Sequence, residues 1–338
     1  MARKQKKSPL TPEAIMDEFI AGWRSQAMFS AVELDVFTRL AAGKRTAKEI
    51  AAAAGASLRG LTILLDALVG MGHLRKSGSR YFLSPAAAAF LDRRKKAYIG
   101  ATAQAAQLTQ ELWTHLTESV KTGRPYQAVD GLENAKDFFP KLVAAIFPGN
   151  YAAAREAAAS LPHKVRRKIR KILDVAAGSA AWSLAFAQAI PEARVTALDL
   201  PETTRITRQF VEKFGLAGRY EYQERDMREG DFGRDTYDLV ILGHIIHSEG
   251  EAGGKALIQK SYEALRKGGM LLIAEYIPND ARTAPAVPLL FALNMLLHTE
   301  HGDVYTLGEY RAWLKAAGFR KVTTLPVPAP SPLIFATK

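Results

Sequence analysis

The sequence predicts an α/β fold: a doubly wound, mostly parallel seven-stranded sheet, preceded by a mainly α-helical winged-helix domain. The first observation behind this prediction is a strand, tight turn, helix and second strand within residues 171–199, which is the opening unit of a doubly wound sheet. The second is that strands and helices keep alternating from there to the C-terminus. The third is that the N-terminal part has the pattern of short helices followed by one hairpin.

Length and composition set the first limits on function. With 338 residues the chain is long enough for two domains, and 48% hydrophobic and 24% charged residues are typical of a globular protein. No apolar run is long enough to span a bilayer, and the basic residues 1–10 lack the apolar stretch of a signal peptide. We expect a disordered basic tail there, a cytoplasmic location and no membrane partner. The absence of cysteine excludes disulfides and thiolate chemistry.

The net charge of +12 raises nucleic acid as a partner. Basic residues cluster at Arg3–Lys7, Arg93–Lys96 and Lys164–Lys171. None of these clusters is interleaved with aromatic residues that could stack on bases, and each flanks a predicted element boundary. We therefore expect solvated charge rather than a nucleic-acid partner, and DNA binding stays as the alternative.

Residues 11–95 have the pattern of a winged helix. After a long helical segment, Thr46 and a glutamate three residues later form a capping box that opens a short helix. A leucine-rich helix follows Ser57, and Leu74–Leu83 has the pattern of a hairpin. Winged helices often bind DNA, but this leucine-rich helix offers mainly Arg59 to a base edge. Its apolar body instead suits burial against another protein surface.

Two further regions complete the predicted organisation. Residues 96–160 form a helical connector, and residues 161–338 form the α/β domain. A turn at Gly268-Gly269 is predicted before the fifth strand. The predicted strands are residues 172–176, 195–198, a run ending at 226, 237–242, 270–277, 322–325 and 333–337.

The strand–turn–helix–strand unit resembles motif I of S-adenosylmethionine (SAM)-dependent methyltransferases, and Asp199-Leu200-Pro201 is similar to the form in small-molecule O-methyltransferases. That family usually has D-x-G-x-G-x-G, whereas this chain has Asp174-Val-Ala-Ala-Gly-Ser-Ala and keeps only the middle glycine, Gly178. Because glycine permits conformations and close approaches that alanine restricts, we expect Ala176 and Ala180 to narrow the cofactor site. The resemblance implies a Rossmann-like domain with S-adenosyl-L-methionine as cofactor.

The same resemblance gives roles to the N-terminal half of the chain. In these O-methyltransferases a winged helix mediates dimerisation and helps to cover the active site, which implies a homodimer through residues 11–95. Helices just before the catalytic domain line the substrate site. The segment Phe138–Asn150 is therefore a candidate wall of that site, with Phe147 and Asn150 as predicted substrate contacts.

Three positions at strand ends lie on one edge of the predicted sheet, where such sheets bind ligands. By the resemblance, Gly178 lies against the amino-acid part of SAM, Asp199 holds the ribose, and Asp226 accepts from the adenine amine. The full predicted set of cofactor contacts is Asp174, Gly178, Asp199, Leu200, Asp226, Met227, Gly243 and His244.

A catalytic pair is implied by the family's signature around Gly268-Gly269, which places His247 on the catalytic position and Glu275, 28 residues later, on the position that orients it. A hydroxyl is a poor nucleophile until its proton leaves, and histidine is the natural base near neutral pH. The family's second orienting glutamate is replaced by Val304, with Asp303 one residue away. A packed histidine without a catalytic role is the alternative interpretation of His247.

A metal site is a further alternative, because His244-x-x-His247 and His298-x-x-His301 each place two histidines three residues apart, with acidic residues nearby. His244, however, lies at a predicted strand end rather than clearly on a helix. We therefore predict no metal.

Phe291, Asn294, Met295 and His298 form a stripe at helical spacing, and the resemblance places this helix in the acceptor pocket. Asn294 and His298 are the predicted substrate-recognition residues. We predict a SAM-dependent methyltransferase acting on a hydroxyl of a small aromatic or polyketide-like molecule. The alternatives are hydroxylation, decarboxylation, C- or N-methylation by a SAM-binding relative, or a DNA-binding regulator with a degenerate enzyme domain.

Overall fold

A computed structural model describes residues 11–95, 97–128, 132–327, 329 and 331–338, without the side chains of residues 104 and 132–137. The predicted tail at residues 1–10 lies outside these residues. The chain divides into two compact units, Met1–Gln107 and Leu108–Lys338. The domain borders predicted after residues 95 and 160 stay predictions.

The first unit consists of helices and one two-stranded hairpin. Thr46 accepts a hydrogen bond from the backbone of Glu49, whose carboxylate accepts in return, so the predicted capping box is present. Its elements are α1 (Pro12–Glu33), α2 (Val36–Ala41), α3 (Ala47–Ala54), α4 (Leu58–Gly70), β1 (Leu74–Ser77), β2 (Arg80–Leu83) and α5 (Pro85–Phe90), followed by α6 (Ala101–Trp113), within which the division between the units falls.

Three leucines of α4 pack inside the unit rather than on its surface. Leu61, Leu65 and Leu68 are at most 2% exposed and belong to the unit's own core, so these three are unavailable for burial against a partner protein. Leu58 and Ile63 of the same helix are 52% and 57% exposed, so α4 also presents apolar side chains to solvent. The apolar side chains with the largest exposed fractions lie on α1.

No single helix in the described residues is long and apolar enough to cross a membrane. Helices α3 and α4 together have the length and apolar composition of a membrane span, but they meet at a bend of 117°.

The second unit contains the predicted seven-stranded sheet, in the order β5-β4-β3-β6-β7-β9-β8. Strands β3 to β7 are parallel, and β9 pairs antiparallel with β7 and β8. The strands are β3 (Lys171–Val175), β4 (Arg194–Asp199), β5 (Tyr220–Glu224), β6 (Tyr237–Gly243), β7 (Leu265–Ala274), β8 (Lys321–Leu325) and β9 (Leu333–Thr337). The helices are α7 (Leu116–Thr122), α8 (Leu132–Ser160), α9 (His163–Arg166), α10 (Ala181–Ala189), α11 (Pro201–Lys213), α12 (Ile246–Ala264), α13 (Ala286–His298) and α14 (Leu307–Ala317).

The strand before Glu275 is longer and begins earlier than predicted. Gly268 and Gly269 belong to β7 itself, because the strand pairs with β6 across a shift in register rather than after a separate turn. The strand ends at Ala274, so Glu275 is the first residue beyond it. The carboxyl end of the strand thus delivers Glu275 to the ligand-binding edge.

Apolar clusters cover both faces of the sheet. On one face, α8 packs against α10 through Ala153, Ala154, Ala157 and Ala158, which are all buried. Small side chains let two helices approach closely, so α8 becomes part of the domain's core layer. The strand order reverses beside β3, where β4 lies on one side and β6 on the other. Open sheets of this kind bind ligands outside the strand ends at such a point.

Candidate active site

A cavity of about 280 Å³ lies at the carboxyl edge of the sheet in the second unit. The residues after β3, β4, β5, β6 and β7 form its floor, and one face each of α8 and α13 forms its walls. The strand order predicts this position, because the cavity lies where the order reverses.

The motif I turn keeps glycine-like backbone geometry although two of its glycines are alanines. Ala176, Gly178 and Ala180 have φ angles of 51°, 58° and 56°. A residue with a Cβ in this left-handed region costs on the order of 1 kcal/mol. Ala176 lies on the cavity wall, where its methyl group occupies space that a glycine would leave open. Ala180 is fully buried behind the wall.

Asp199 lies on the cavity wall and joins the motif I turn to β4. Its Oδ2 accepts from the amide of Gly178 at 2.7 Å, and its Oδ1 accepts from the amide of Leu200 at 2.8 Å. Burial raises the pKa of Asp199 to about 6 despite these bonds. The side chain of Thr203 also hydrogen-bonds the carboxylate, so part of its acceptor capacity is left for a ligand hydroxyl.

Asp226 and Met227 also lie on the wall, as predicted. The guanidinium of Arg228 binds the carboxylate of Asp226, with Nη2 at 2.6 Å from Oδ2. Burial acts to raise the pKa of Asp226, but the hydrogen bonds and charge of Arg228 outweigh it and lower the pKa. Asp226 is therefore a carboxylate anion, and Arg228 already takes up part of its capacity to accept hydrogen bonds.

Of two further predicted cofactor positions, Asp174 lies off the cavity wall and Gly243 lies on it. Asp174 is 2% exposed and is absent from the cavity wall; it bonds Ser183 instead, and burial raises its pKa to about 7. Asp174 therefore supports the turn from behind. Gly243 does line the cavity, but a Cβ there would lie 2.5 Å from Cδ1 of Trp182. The glycine makes room for the indole ring.

His247 and Glu275 form the pair that the sequence predicts. Nδ1 of His247 lies 2.6 Å from Oε2 of Glu275, and the other carboxylate oxygen accepts from the amide of Ile246 at 2.8 Å. Glu275 is 3% exposed, and its burial acts to raise its pKa. The charge and hydrogen bond of His247 outweigh that effect and lower the pKa. Glu275 is therefore held as an anion behind the imidazole ring.

Further contacts fix His247 in place. The ring edge of Phe291 meets His247 at 4.9 Å between centroids, and Phe291 stacks on Tyr276 at 3.9 Å. The amide of Asp303 donates to the backbone carbonyl of His247 at 3.0 Å. Both the backbone and the ring of His247 are thus constrained.

The second orienting acid of the family has no equivalent around His247 in the described residues. Val304 is 1% exposed, and the carboxylate of Asp303 pairs with Arg282 at 2.8 Å. Arg282 also donates to the carbonyl of Val304. Asp303 therefore tethers two loops and leaves the imidazole to Glu275.

The two histidine pairs of the sequence differ in the structure: the pair of His298 and His301 comes apart, whereas His244 and His247 lie close together. His298 is buried on the cavity wall and His301 is exposed. His244, His247 and Glu275 do converge, and their ligand atoms lie within 4.8 Å of one another. Burial lowers the pKa of His244 to about 4, which makes it a neutral ring. Its Nδ1 has no hydrogen-bond partner among the described residues.

Three of the four predicted substrate contacts lie on the wall: Asn150, Asn294 and His298. Phe147 does not line the cavity, contrary to the expectation for its segment. Helix α8 places residues four apart on one face, so Ile146 and Asn150 face the cavity. Phe147 is turned by about 100° and stacks on Phe210 of α11 at 4.3 Å.

Sequence reasoning missed Trp182, Arg228 and Tyr276, all on the cavity wall. Trp182 lies in a stretch whose apolar spacing is typical of a core helix, which hides its role in the sequence. Its Nε1 is buried without a hydrogen-bond partner in the described part of the chain. Tyr276 directly follows Glu275, and position beside a strand-end acid is the one signal that could have found it. Arg228 follows Asp226 by two residues in the same way.

This fold and site define a Rossmann-like, SAM-dependent methyltransferase with a histidine–carboxylate pair beside the cofactor edge. A family model of the O-methyltransferase domain matches residues 113–320, and a model of the O-methyltransferase dimerisation domain matches residues 7–93. The chain belongs to this O-methyltransferase family. It is an O-methyltransferase, and the cofactor of the family is SAM.

Similar proteins cover nearly the whole chain. The tetracenomycin polyketide synthesis 8-O-methyl transferase TcmO of Streptomyces glaucescens is 34% identical, over 97% of each chain. The 3-hydroxy-5-methyl-1-naphthoate 3-O-methyltransferase of Streptomyces sahachiroi is 29% identical, over 94% of this chain and 92% of its own. Human N-acetylserotonin methyltransferase, solved in complex with SAM, shares the fold with a TM-score of 0.85 at 23% identity, over 100% of this chain and 99% of its own.

Proposed function

We propose that the enzyme methylates a phenolic hydroxyl of a small aromatic molecule of the polyketide type, with His247 as the general base. The observation that carries this proposal is the bond between His247 and the buried, anionic Glu275 on the wall of the cavity. The substrate class is supported by the two Streptomyces relatives, whose names give a polyketide and a naphthoate as the compounds they methylate.

The residues present fit SAM. Gly178, Asp199, Asp226 and Met227 lie together on the wall, and Asp199 keeps acceptor capacity for a ribose hydroxyl beside its three bonds within the chain. The buried, unpaired Nε1 of Trp182 is a donor on the same wall, in the part of the chain described, and suits a polar group of a ligand. When bound, SAM supplies an electrophilic methyl group on a sulfonium.

The chain's own residues supply the proton chemistry. Because the carboxylate of Glu275 can only accept, Nδ1 of His247 carries the hydrogen, and Nε2 keeps the lone pair. Nε2 takes the proton of the acceptor hydroxyl, and the anion of Glu275 stabilises the imidazolium that results. Phe291 and Tyr276 exclude water from one side of the ring. The rest of the rate enhancement comes from positioning.

The test of the base is methyl transfer from SAM to phenolic acceptors by the wild type and by His247→Ala. Loss of general-base catalysis costs about 10²–10⁴-fold in kcat. Calorimetric affinity for SAM should stay within a few-fold of the wild type. The matched control is His163→Ala, an exposed histidine on α9. Unchanged turnover in His247→Ala would show that His247 is not the general base.

Metal-assisted transfer is the second candidate, because His244, His247 and Glu275 could together approach one cation. The existing bonds of Glu275 weigh against it, since both oxygens already accept hydrogen bonds. Native mass spectrometry and activity assays after dialysis against a chelator distinguish metal-assisted transfer from general-base catalysis by His247. Activity that is lost in chelator and restored by a divalent cation would support the metal.

We also propose a homodimer through the N-terminal unit. Ile15, Phe19 and Trp23 lie four residues apart on α1 and are 46%, 75% and 74% exposed. A stripe of large exposed apolar side chains is typical of an interaction surface. The dimerisation model covers this helix. Phe19→Asp with Trp23→Asp should therefore shift the mass in light scattering to the monomer, whereas an unchanged dimer would exclude this face.

A further inference from the structure

His298 has a fixed hydrogen arrangement. It lies on the last turn of α13, is 1% exposed, and its Nδ1 is 2.6 Å from the backbone carbonyl of Asn294. A carbonyl oxygen can only accept, so Nδ1 carries a hydrogen. Burial lowers the pKa of His298 more than the bond to Asn294 raises it, so the ring is neutral. Nε2 therefore presents a lone pair and no hydrogen.

That lone pair lies on the wall of the active-site cavity without a partner. Nε2 of His298 is buried and forms no hydrogen bond with any residue that the structure describes. Buried polar atoms in folded proteins are nearly always paired, and an unpaired buried acceptor is destabilising. The cavity thus offers a place for a ligand group that donates a hydrogen bond.

The cavity contains a second acceptor of the same kind. Nε2 of His247 also holds a lone pair, because Nδ1 is committed to Glu275. A ligand with one hydroxyl can satisfy only one of these two imidazoles. A ligand with two hydroxyls can donate to His247 through the reacting group and to His298 through another.

The surroundings of the two rings indicate what joins the two hydroxyls. Phe291 packs on His247, and Phe138 lies 6.3 Å from His298. Phe291 and His298 are seven residues apart on α13, which is about 10 Å along a helix. Aromatic walls over that length suit a flat molecule of two or more fused rings, with its hydroxyls on different rings.

We propose that His298 determines specificity by accepting a hydrogen bond from a second, non-reacting hydroxyl, so that the preferred acceptor is a fused-ring aromatic with at least two hydroxyls. This assignment rests on the proposed phenol methylation and adds the requirement for the second donor.

The test compares naphthalene-2,7-diol with 7-methoxynaphthalen-2-ol, which keeps the reacting hydroxyl but replaces the second donor with a methyl ether. In the wild type, kcat/KM should favour the diol by about tenfold or more, beyond the statistical advantage of two equivalent hydroxyls. In His298→Phe, which keeps an aromatic ring without the acceptor, this preference should fall to the statistical value. The difference should appear mainly in KM, since the reacting group is unchanged.

Two further variants keep the test decisive. His298→Gln has an amide oxygen that can accept, and it should restore part of the preference. His301→Phe makes the same exchange at an exposed histidine three residues away, and it should keep the wild-type ratio. SAM binding by calorimetry shows that each variant is folded.

The outcomes separate this assignment from the proposed function. Methylation of both naphthols with the same efficiency by the wild type, or an unchanged preference in His298→Phe, would overturn the role of His298 and leave phenol methylation standing. If the wild type binds SAM but neither binds nor methylates the diol, the proposed preference for a fused-ring diol is wrong. Transfer to no hydroxyl of any phenol would instead count against the proposed function itself.

Discussion

At the end of β4, Asp199 accepts two backbone amides and is nevertheless pushed toward the neutral form, with its pKa raised to about 6. At the end of β7, Glu275 is equally buried, yet its pKa is lowered. The two strands are three positions apart in the sheet, which is about 14 Å. The difference is the imidazole of His247, which hydrogen-bonds Glu275 and favours its charged form, whereas the hydrogen bonds to Asp199 do not offset the burial of its charge.

This comparison separates two uses of a carboxylate. Glu275 is hydrogen-bonded to His247, and in the proposed mechanism it stabilises the imidazolium. Asp199 is held by hydrogen bonds from uncharged donors, so further donors from a bound ligand would favour its charged form. On this proposal the catalytic pair is complete without ligand, whereas the environment of Asp199 is completed by the cofactor.

The largest expected effect comes from removing the charge of Glu275. In Glu275→Gln the side chain keeps its shape but no longer stabilises the imidazolium of His247, and an amide nitrogen can reverse the tautomer. We expect kcat to fall by about 10²–10⁴-fold with SAM affinity little changed. Asp303→Asn, which alters a carboxylate away from the His247 ring, is the control in the same assay. A loss of less than tenfold would mean that the charge behind His247 is not needed.

The second prediction concerns pH and the cofactor. Because Asp199 titrates near pH 6, its protonation below that value removes acceptor capacity, and the Kd for SAM should rise up to about tenfold between pH 7 and pH 5. Calorimetry across this range measures it. Asp199→Asn should bind SAM weakly with little dependence on pH. A flat Kd in the wild type would mean that Asp199 does not contact the cofactor.

The same groups affect the stability of the ligand-free protein with opposite signs. Asp199 and Asp174 have folded-state pKa values above the ordinary value of 3.8. Their contribution to the free energy of unfolding is therefore fully present below pH 3.8 and is lost as the pH rises through about 6 for Asp199 and about 7 for Asp174. Glu275 has a lowered pKa, so its contribution is present above 4.5 and is lost as pH falls through its folded-state value. The Asp199→Asn variant should therefore lose less stability than the wild type between pH 5 and pH 7 in thermal melts.

The smallest expected effect lies in the motif I turn. Ala176→Gly relieves a left-handed alanine and widens the cavity wall, so we expect a gain of about 1 kcal/mol in unfolding free energy and a few-fold tighter SAM binding. Ala180→Gly relieves similar strain but removes a fully buried methyl worth about 0.8 kcal/mol, so it should be nearly neutral. Denaturant unfolding and calorimetry on both variants measure the difference. Equal effects of the two substitutions would contradict this account.

Much of the fold could be predicted from the sequence, because its signals are local. Apolar runs with strand lengths, the capping box at Thr46 and the doubly wound alternation all depend on neighbouring residues, and the structure confirms them. The pair of His247 and Glu275 was predicted from the family's sequence signature, and the structure shows the two side chains in contact. They meet because each follows the carboxyl end of a parallel strand at one edge of the sheet.

The errors concern which side of an element a residue faces. Phe147 was assigned to the cavity because the whole segment borders it, and only the packing of α8 on α11 turns that side chain away. Asp174 was assigned to the cofactor from its place in the motif, but the side chain faces Ser183 within the core. The partnership of Asp226 with Arg228 depends on a loop conformation that spacing does not specify.

Helix α8 has one face on the acceptor region and the opposite face on α11, the helix that starts directly after Asp199 and Leu200. Any displacement of α11 would therefore reach the wall that carries Ile146 and Asn150 through the stacked rings of Phe147 and Phe210. Ligands at the two places would then be mechanically coupled without touching the same residues. Such a coupling would favour an ordered kinetic sequence, in which the methyl donor enters first and shapes the surface that selects the phenol.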